Sequence, residues 1–375
     1  MREGWEIKKL GDCFESVRNG ANIKQYDNAK GIPITRIETL SNDRFNRDRM
    51  GYADITDTEK YSSYVLNDGD ILMSHINSVK YLGRAVQYKK CNDEIIIHGM
   101  NLLRLTPNST IILSSYAEYY FKCYYFKDQI ANITKKAVNQ ASFSITALNA
   151  VNVFVPPLSE QKRIVAELDL LSEVIAKKRE QLTQLDALAQ SLFYTMFGDP
   201  ITNEKGWETK KFGDCYKLTS GQGLSAKSIL GGEYPVYGGN GIVGYHCSYN
   251  LDGENIIIGR VGALCGNVRN LIGKVFITDN AFILTKKIEN INIFLLYLLR
   301  LHNLRKYARE AMQPVISNSG LKNILIILPP LALQQQFAEK IEAIELQKER
   351  IRQSLAEVQL LFDSRMDYYF NEWAE

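Results

Sequence analysis

Arg36, Asn42, Arg44, Asn46, Arg47 and Arg49 crowd one stretch of this chain, with Asp43 and Asp48 interleaved. Side chains of these types bond to the edges of bases: arginine pairs bidentately with guanine, asparagine or glutamine with adenine, and aspartate accepts from cytosine. A little further on, Lys80, Arg84, Lys89 and Lys90 can hold phosphates, contacts that position a duplex without reading it. In the second half the counterparts are Gln222, Lys227, Tyr237, Asn240, Arg260 and Arg269. The bland alternative for the first group is a solvated loop of mixed charge.

Other chemistry finds little support. Gly239-Asn240-Gly241-Ile242-Val243-Gly244 fits GxGxxG, but a dinucleotide turn needs a helix after it, and Tyr245-His246-Cys247-Ser248-Tyr249 is strand-like. A glycine-rich hairpin that lets backbone approach another surface is the expected structure. There is no GxxxxGK[ST], and no Asn- or Asp-Pro-Pro-aromatic motif of an amino-methyltransferase. Val155 and Leu328 precede the two double prolines, which therefore mark helix entries. His75, His98, His246 and His302 have no evident Ser or Cys nucleophile as partner and are expected to be structural or surface residues. Six cysteines without a CxxC pair, and out of ligand spacing with the histidines, argue against zinc or a disulfide framework and for buried free thiols in a reducing cytosol. No catalytic and no metal-binding residue is predicted.

The elements that must position the candidate readers are long helices. From Pro156-Pro157, apolar residues recur at Ile164, Leu168, Leu171, Ile175, Leu182, Leu185, Ala189, Leu192 and Met196, broken at Lys178. After Pro329-Pro330 the series is Phe337, Ile341, Ile344, Ile351, Leu355, Val358, Phe362 and Tyr369, broken at Lys348. Alternating steps of four and three give a 3.5-residue repeat, the seam of a coiled coil. The first helix should stop at Gly198, with Pro200 just beyond.

The chain is also duplicated. Gly4-Trp5-Glu6-Ile7-Lys8-Lys9-Leu10-Gly11-Asp12-Cys13 returns at Gly206 to Cys215 with eight of ten positions identical. The ends of the halves match as well: Asn139-Gln140 with Met312-Gln313, and residues 151–158 with 324–331. The starts lie 202 positions apart and the ends 173, so the frames agree while the contents, residues 19–140 and 221–313, differ and resist alignment. In the first module, strands are expected at 32–36, 70–75, 82–87, 95–98, 101–105 and 151–155 and a helix at 115–130, whose aromatics Tyr116, Tyr119, Tyr120, Tyr124 and Phe126 form a core face. A duplicated frame with divergent contents suits two similar mounts holding two different reading heads.

Length and composition allow this. With 375 residues, 45% of them hydrophobic, two globular domains and connecting helices fit; a net charge of +3 confines any nucleic-acid surface to local patches. The most apolar run, residues 291–301, is too short to cross a bilayer and the start has no apolar signal, so a soluble cytoplasmic protein is expected.

In combination these features resemble the specificity subunit of a type I restriction-modification system. The resemblance covers nearly the whole chain. It rests on Gly4-Trp5-Glu6 and its return at 206, on Pro156-Pro157-Leu158-Ser159-Glu160-Gln161 before a long helix, and on Tyr234-Pro235-Val236-Tyr237-Gly238-Gly239-Asn240-Gly241 with Gly259-Arg260-Val261-Gly262. Asp68-Gly69-Asp70-Ile71-Leu72 looks like the family's Gly-Asp-Ile-Leu strand, whereas Leu331-Ala332-Leu333-Gln334-Gln335 lacks the usual Ser-Glu at its helix start. The resemblance implies an α+β fold. Two target-recognition domains, residues 1–157 and 199–330, would be separated by two antiparallel spacer helices, residues 158–198 and 331–375. It implies a non-catalytic subunit in which each domain reads one half of a bipartite, asymmetric site on double-stranded DNA, the halves about one helical turn apart. Two methyltransferase subunits would dock on the helices and restriction subunits would join them; S-adenosylmethionine, ATP and Mg are expected on those partners, and no cofactor on this chain. The rivals are a coiled-coil protein-interaction scaffold that reads no DNA, and an enzyme, such as a nuclease, acting alone.

Overall fold

Each double proline launches a helix of 40 residues, Leu158–Phe197 and Leu331–Phe370. In this computed structural model the described residues are 3–371 apart from 28–30, 56, 139, 230, 310 and 311, so Asn139 of the repeat lies outside them. The first helix ends at Gly198, whose positive φ of 74° lets its N–H reach the Tyr194 carbonyl at 2.8 Å. The second starts without Ser-Glu because the Pro330 carbonyl accepts from the N–H groups of Leu333 and Gln334, as Pro157 does from Glu160 and Gln161.

Both starts share a device that the proline motifs did not reveal. Gln161 is buried; its amide donates to the carbonyls of Pro156 and Ile111 at 2.9 and 2.8 Å and accepts from the N–H of Leu113 at 2.8 Å. Gln334, 173 positions on and equally buried, donates to the Pro329 carbonyl at 2.9 Å and accepts from the N–H of Ile291 at 3.0 Å. Leu113 and Ile291 are the N-cap residues of helices Ser114–Tyr120 and Asn292–Leu301, so one side chain satisfies an otherwise orphan donor and ties the long helix to its module.

The chain divides into two units, Met1–Lys177 with Leu355–Glu375, and Lys178–Ser354. In the first unit the four-stranded antiparallel sheet runs Phe14–Asn19, Leu102–Pro107, Ile71–Ser74, Ala85–Gln87. In the second it runs Tyr216–Ser220, Ala281–Lys286, Glu254–Gly259, Val268–Ile272, the same order and sense. The middle of each sheet carries consecutive apolar residues, Ile71-Leu72-Met73 and Ile256-Ile257-Ile258, because both faces are covered there. Ile71 and Met73 face one core and Leu72 another, and Ile256 and Ile258 are divided from Ile257 in the same way. The repeated Gly-Trp-Glu segment forms a strand that pairs with the strand before the prolines, Glu6–Lys9 with Asn152–Val155 and Thr209–Lys211 with Leu325–Ile327.

Within each unit the long helices run antiparallel. In the first, Glu167 accepts from the Tyr369 hydroxyl and pairs with Arg365, both at 2.7 Å. In the second, Phe193 and Phe197 pack on Phe337 while Asp186 meets Lys348 at 2.6 Å. Seam residues Ile164, Leu168, Ile175, Phe337, Ile341 and Ile344 are buried; Leu171, Leu182, Leu185, Leu192, Ile351, Leu355, Val358 and Phe362 are half-buried. Lys348 is buried too. Burial opposes its charge, but hydrogen bonds to Asp186 and Glu345 outweigh that and raise its pKa above that of an ordinary lysine.

Three sequence expectations need correction. The helix foreseen at 115–130 is two, Ser114–Tyr120 and Tyr124–Ile133, because Cys123 turns extended and its sulfur accepts from the N–H of Phe126, capping the second; Phe121 and Phe126 then face each other at 4.6 Å, while Tyr124 is exposed. Residues 95–98 form only isolated bridges, Ile97 pairing with Ile34 and Val65. Of the cysteines, Cys13, Cys123, Cys215 and Cys265 are buried, but Cys91 and Cys247 are exposed; all six are free.

Each core is closed by a helix end. Met366, Tyr369 and Phe370 enter the first core, and Phe193 and Phe197, with Met196 at the margin, enter the second. Phe197 and Phe370 are fully buried and 173 positions apart. Truncating either leaves a cavity worth about 3–5 kcal/mol. Phe370→Ala is expected to lower hydrogen-exchange protection in strand Leu102–Pro107 and spare Glu254–Gly259, and Phe197→Ala to do the reverse.

Candidate nucleic-acid interface

The equivalence of the two sheets gives the alignment that sequence alone withholds. The first strand of each sheet is followed by a glycine, Gly20 or Gly221, where a Cβ would lie 2.3 Å from the carbonyl oxygen of Gly99 or Ile277, so only glycine passes. The next N–H then bonds to His98 in one unit and to Ile277 in the other. Pro33 and Pro235, 202 apart, open short strands that pair in parallel with Ile97 and with Phe276–Ile277. Asp68-Gly69-Asp70 and Asp252-Gly253-Glu254 lead into the central strands, both glycines at φ 85°. Ser74-His75-Ile76-Asn77 thus corresponds to Gly259-Arg260-Val261-Gly262, and Gly99-Met100-Asn101 to Thr278-Asp279-Asn280.

In the second unit three of the six candidates, Gln222, Tyr237 and Arg260, bond to the turn at residues 277–281, and two more, Arg269 and Asn240, bond to each other. Gln222 donates its N–H to Ile277, Tyr237 accepts from the N–H of Thr278, and Arg260 donates to the Asp279 carbonyl at 3.4 Å and the Ser220 hydroxyl at 3.2 Å. Arg269 donates to the Asn240 carbonyl at 3.2 Å. The guanidinium of Arg260 also lies over the Phe282 ring. The GxGxxG stretch is the hairpin Tyr234–Gly238 and Gly241–His246, as its glycines imply. The backbone approach is close: a Cβ on Gly259 would sit 2.3 Å from the Gly239 carbonyl. Gln222 and Asn240 are exposed, as are Ile242, Val243 and Tyr245 on the same hairpin. Lys227 is exposed on the short turn Ala226–Ile229, away from this cluster's hydrogen bonds.

At the corresponding place the first unit has a cavity of about 380 Å³ lined in part by Asn22, Gln25, Arg36, Met100 and Asn101. Arg36 is oriented there by Gln25 at 2.7 Å and Asp27 at 2.5 Å. The remaining candidates lie elsewhere. Asn42 and Asp43 both have positive φ and form the turn between strands Leu40–Ser41 and Arg44–Phe45, which explains their residue types. Arg84 is held by Asp43 at 3.1 Å, and Arg47 grips Glu94 through two nitrogens, holding that carboxyl down at about 2. Asn42, Arg44, Arg49 and Lys80 are exposed. Asn22, Gln25, Asn101, Ser220 and Asn280 were missed; the signal that could have found them is the 202-residue offset shared by Pro33 and Pro235.

Three histidines are buried and neutral. Desolvation pushes His75, His98 and His302 down to about 4. Among the described residues no cluster of three or more His, Cys, Asp or Glu could hold a metal ion, and no helix is long and apolar enough to cross a membrane.

The sequence matches the family described as type I restriction modification DNA specificity domain twice, over residues 2–186 and 204–360. The chain belongs to that family and is a specificity subunit of the type I restriction-modification class. Among its relatives is a candidate type I restriction enzyme specificity subunit of Methanocaldococcus jannaschii, MjaX, 30% identical over 92% of this chain and 87% of that one. The EcoprrI specificity subunit of Escherichia coli is 28% identical over 59% and 60%. The fold is that of the S subunit crystal structure from M. genitalium, with a TM-score of 0.62 and 14% identity, covering 98% of this chain and 96% of that one.

The buried histidines set an acid limit. Their folded pKa lies below the unfolded value near 6.5, so the unfolded chain takes up the proton first and stability is lost as pH falls from 6.5 towards 4. The slope is up to about 1.4 kcal/mol per pH unit for each histidine. Urea unfolding is expected to show a midpoint that drops between pH 6.5 and 4.5.

Proposed function

We propose that this chain gives a type I restriction-modification complex its DNA sequence specificity, residues 1–157 and 199–330 each reading one half of a bipartite, asymmetric site on double-stranded DNA. The helices, residues 158–198 and 331–375, dock two methyltransferase subunits, and restriction subunits join that assembly in the cytoplasm. Methylation and cleavage belong to those partners, which hold S-adenosylmethionine, ATP and Mg. The observation that carries this reading is one four-stranded frame built twice, with different polar residues at equivalent ends, Asn22, Gln25 and Arg36 in one and Gln222, Asn240 and Arg260 in the other, beside the shared Asn101 and Asn280. A scaffold that only bound protein would have no need of two unlike sets of amides and guanidinium groups at matching places.

Mapping methylated adenines in a host carrying the chain and its partner subunits tests the reading. Exchange of residues 20–139 for the corresponding module of another specificity subunit is expected to change one half-site and leave the other; a change in both halves, or in neither, overturns it. Arg260→Ala is expected to cost about 1–3 kcal/mol of discrimination within one half-site, measured by binding to single-base variants. A uniform loss with a shallower salt slope would reassign Arg260 to a phosphate.

A further inference from the structure

In each unit several exposed cations outside the base-reading sites lie where the helical segment hands over to the strand returning toward the prolines. In the first unit a cavity of about 360 Å³ is lined in part by Lys80, Arg84, Lys122 and Lys127, with Asp43 the one carboxylate among its lining residues, and by Thr134, which leads directly into the strand Lys135–Lys136. In the second a cavity of about 340 Å³ is lined by Asn303, Arg305, Lys306, Ala308, Arg309 and Pro314. Topology makes the places equivalent. Lys135–Lys136 pairs with Ala141–Ser142, which pairs with Ile76–Asn77; Arg309 bridges Val315, which bridges Val261, the counterpart of Ile76. Lys136 and Arg309 are 173 positions apart, the spacing of the duplicated frame.

Lys127, Lys135, Lys136, Arg305, Lys306 and Arg309 are all exposed, and among the described residues none forms an ion pair, unlike Arg36, Arg47 and Arg84. The side chain of Arg305 is anchored by a bond to the Ala263 carbonyl. Unpaired, clustered cations beside a recess suit a ligand with repeated single negative charges. A base edge, which presents donors and acceptors without net charge, does not need them. We infer that these two patches hold the phosphate backbone of the duplex and supply affinity without sequence information, at topologically equivalent places in the two units. The inference rests on the DNA-reading function proposed above.

The test uses the full chain assembled with its methyltransferase partners and two labelled duplexes, one carrying its methylation target and one scrambled, titrated across salt concentrations. The variants are Lys127→Ala/Lys135→Ala/Lys136→Ala and Lys306→Ala/Arg309→Ala, the second sparing the bonded Arg305. Each removed phosphate contact lowers the slope of log affinity against log salt by about 0.9, so slopes about 2–3 and about 2 units shallower are expected, with the ratio between duplexes unchanged. An unchanged slope overturns the inference. So does a loss confined to the target duplex, which would make these residues base readers, or a loss of methyltransferase assembly at unchanged slope, which would make the patch a protein surface. A parent assembly that shows no salt-dependent DNA binding would instead sink the proposed function itself.

Discussion

An apolar stripe forty residues long cannot remain in water, and the way this chain covers its two stripes governs everything else. Each stripe meets the other along the seam, but the ends are treated differently from the middle. Toward the middle, seam residues such as Leu182 and Leu355 are only half-buried, and a polar break, Lys348, is held by two carboxylates. At the ends, Phe197 and Phe370 leave the seam and enter a module's core. A helix begun beside one module thus finishes inside the other. The modules therefore cannot be separated from the helices as beads from a string.

Much of this is legible in the residues. The 3.5-residue repeat, the double prolines and Gly198 define both helices, and the return of Gly-Trp-Glu shows the duplication. The equivalence of the sheets is harder to see, because the shared features are single glycines and prolines set in unlike sequence. Gly20 and Gly221 are required by backbone crossing, and Pro33 and Pro235 by the start of a strand, yet nothing in the intervening residues needs to agree. The central strands also differ by one residue between Asp68 and Ser74 on one side and Asp252 and Gly259 on the other, enough to defeat a fixed offset.

The candidate readers divide along the same line. Residue type and crowding single out Arg36, Arg260 and Asn240, which the fold sets at equivalent ends of the two sheets. The same criteria also select Arg47, whose charge meets Glu94, and Asn42, whose left-handed backbone closes a turn. Composition cannot distinguish an arginine that faces outward from one that clamps a loop, because both need the same guanidinium. The helix break at Cys123 is similar: a thiol accepting one N–H from Phe126 interrupts a pattern whose periodicity runs straight through it.

Among the described residues, the side chains of Gln161 and Gln334 bond to main-chain atoms alone, those of Pro156, Ile111, Leu113, Pro329 and Ile291. A joint made entirely to backbone does not care which side chains hang from the part it secures. At this joint a different insert needs no matching side chain; the match it must supply lies where Tyr116 and Tyr120 meet Phe370.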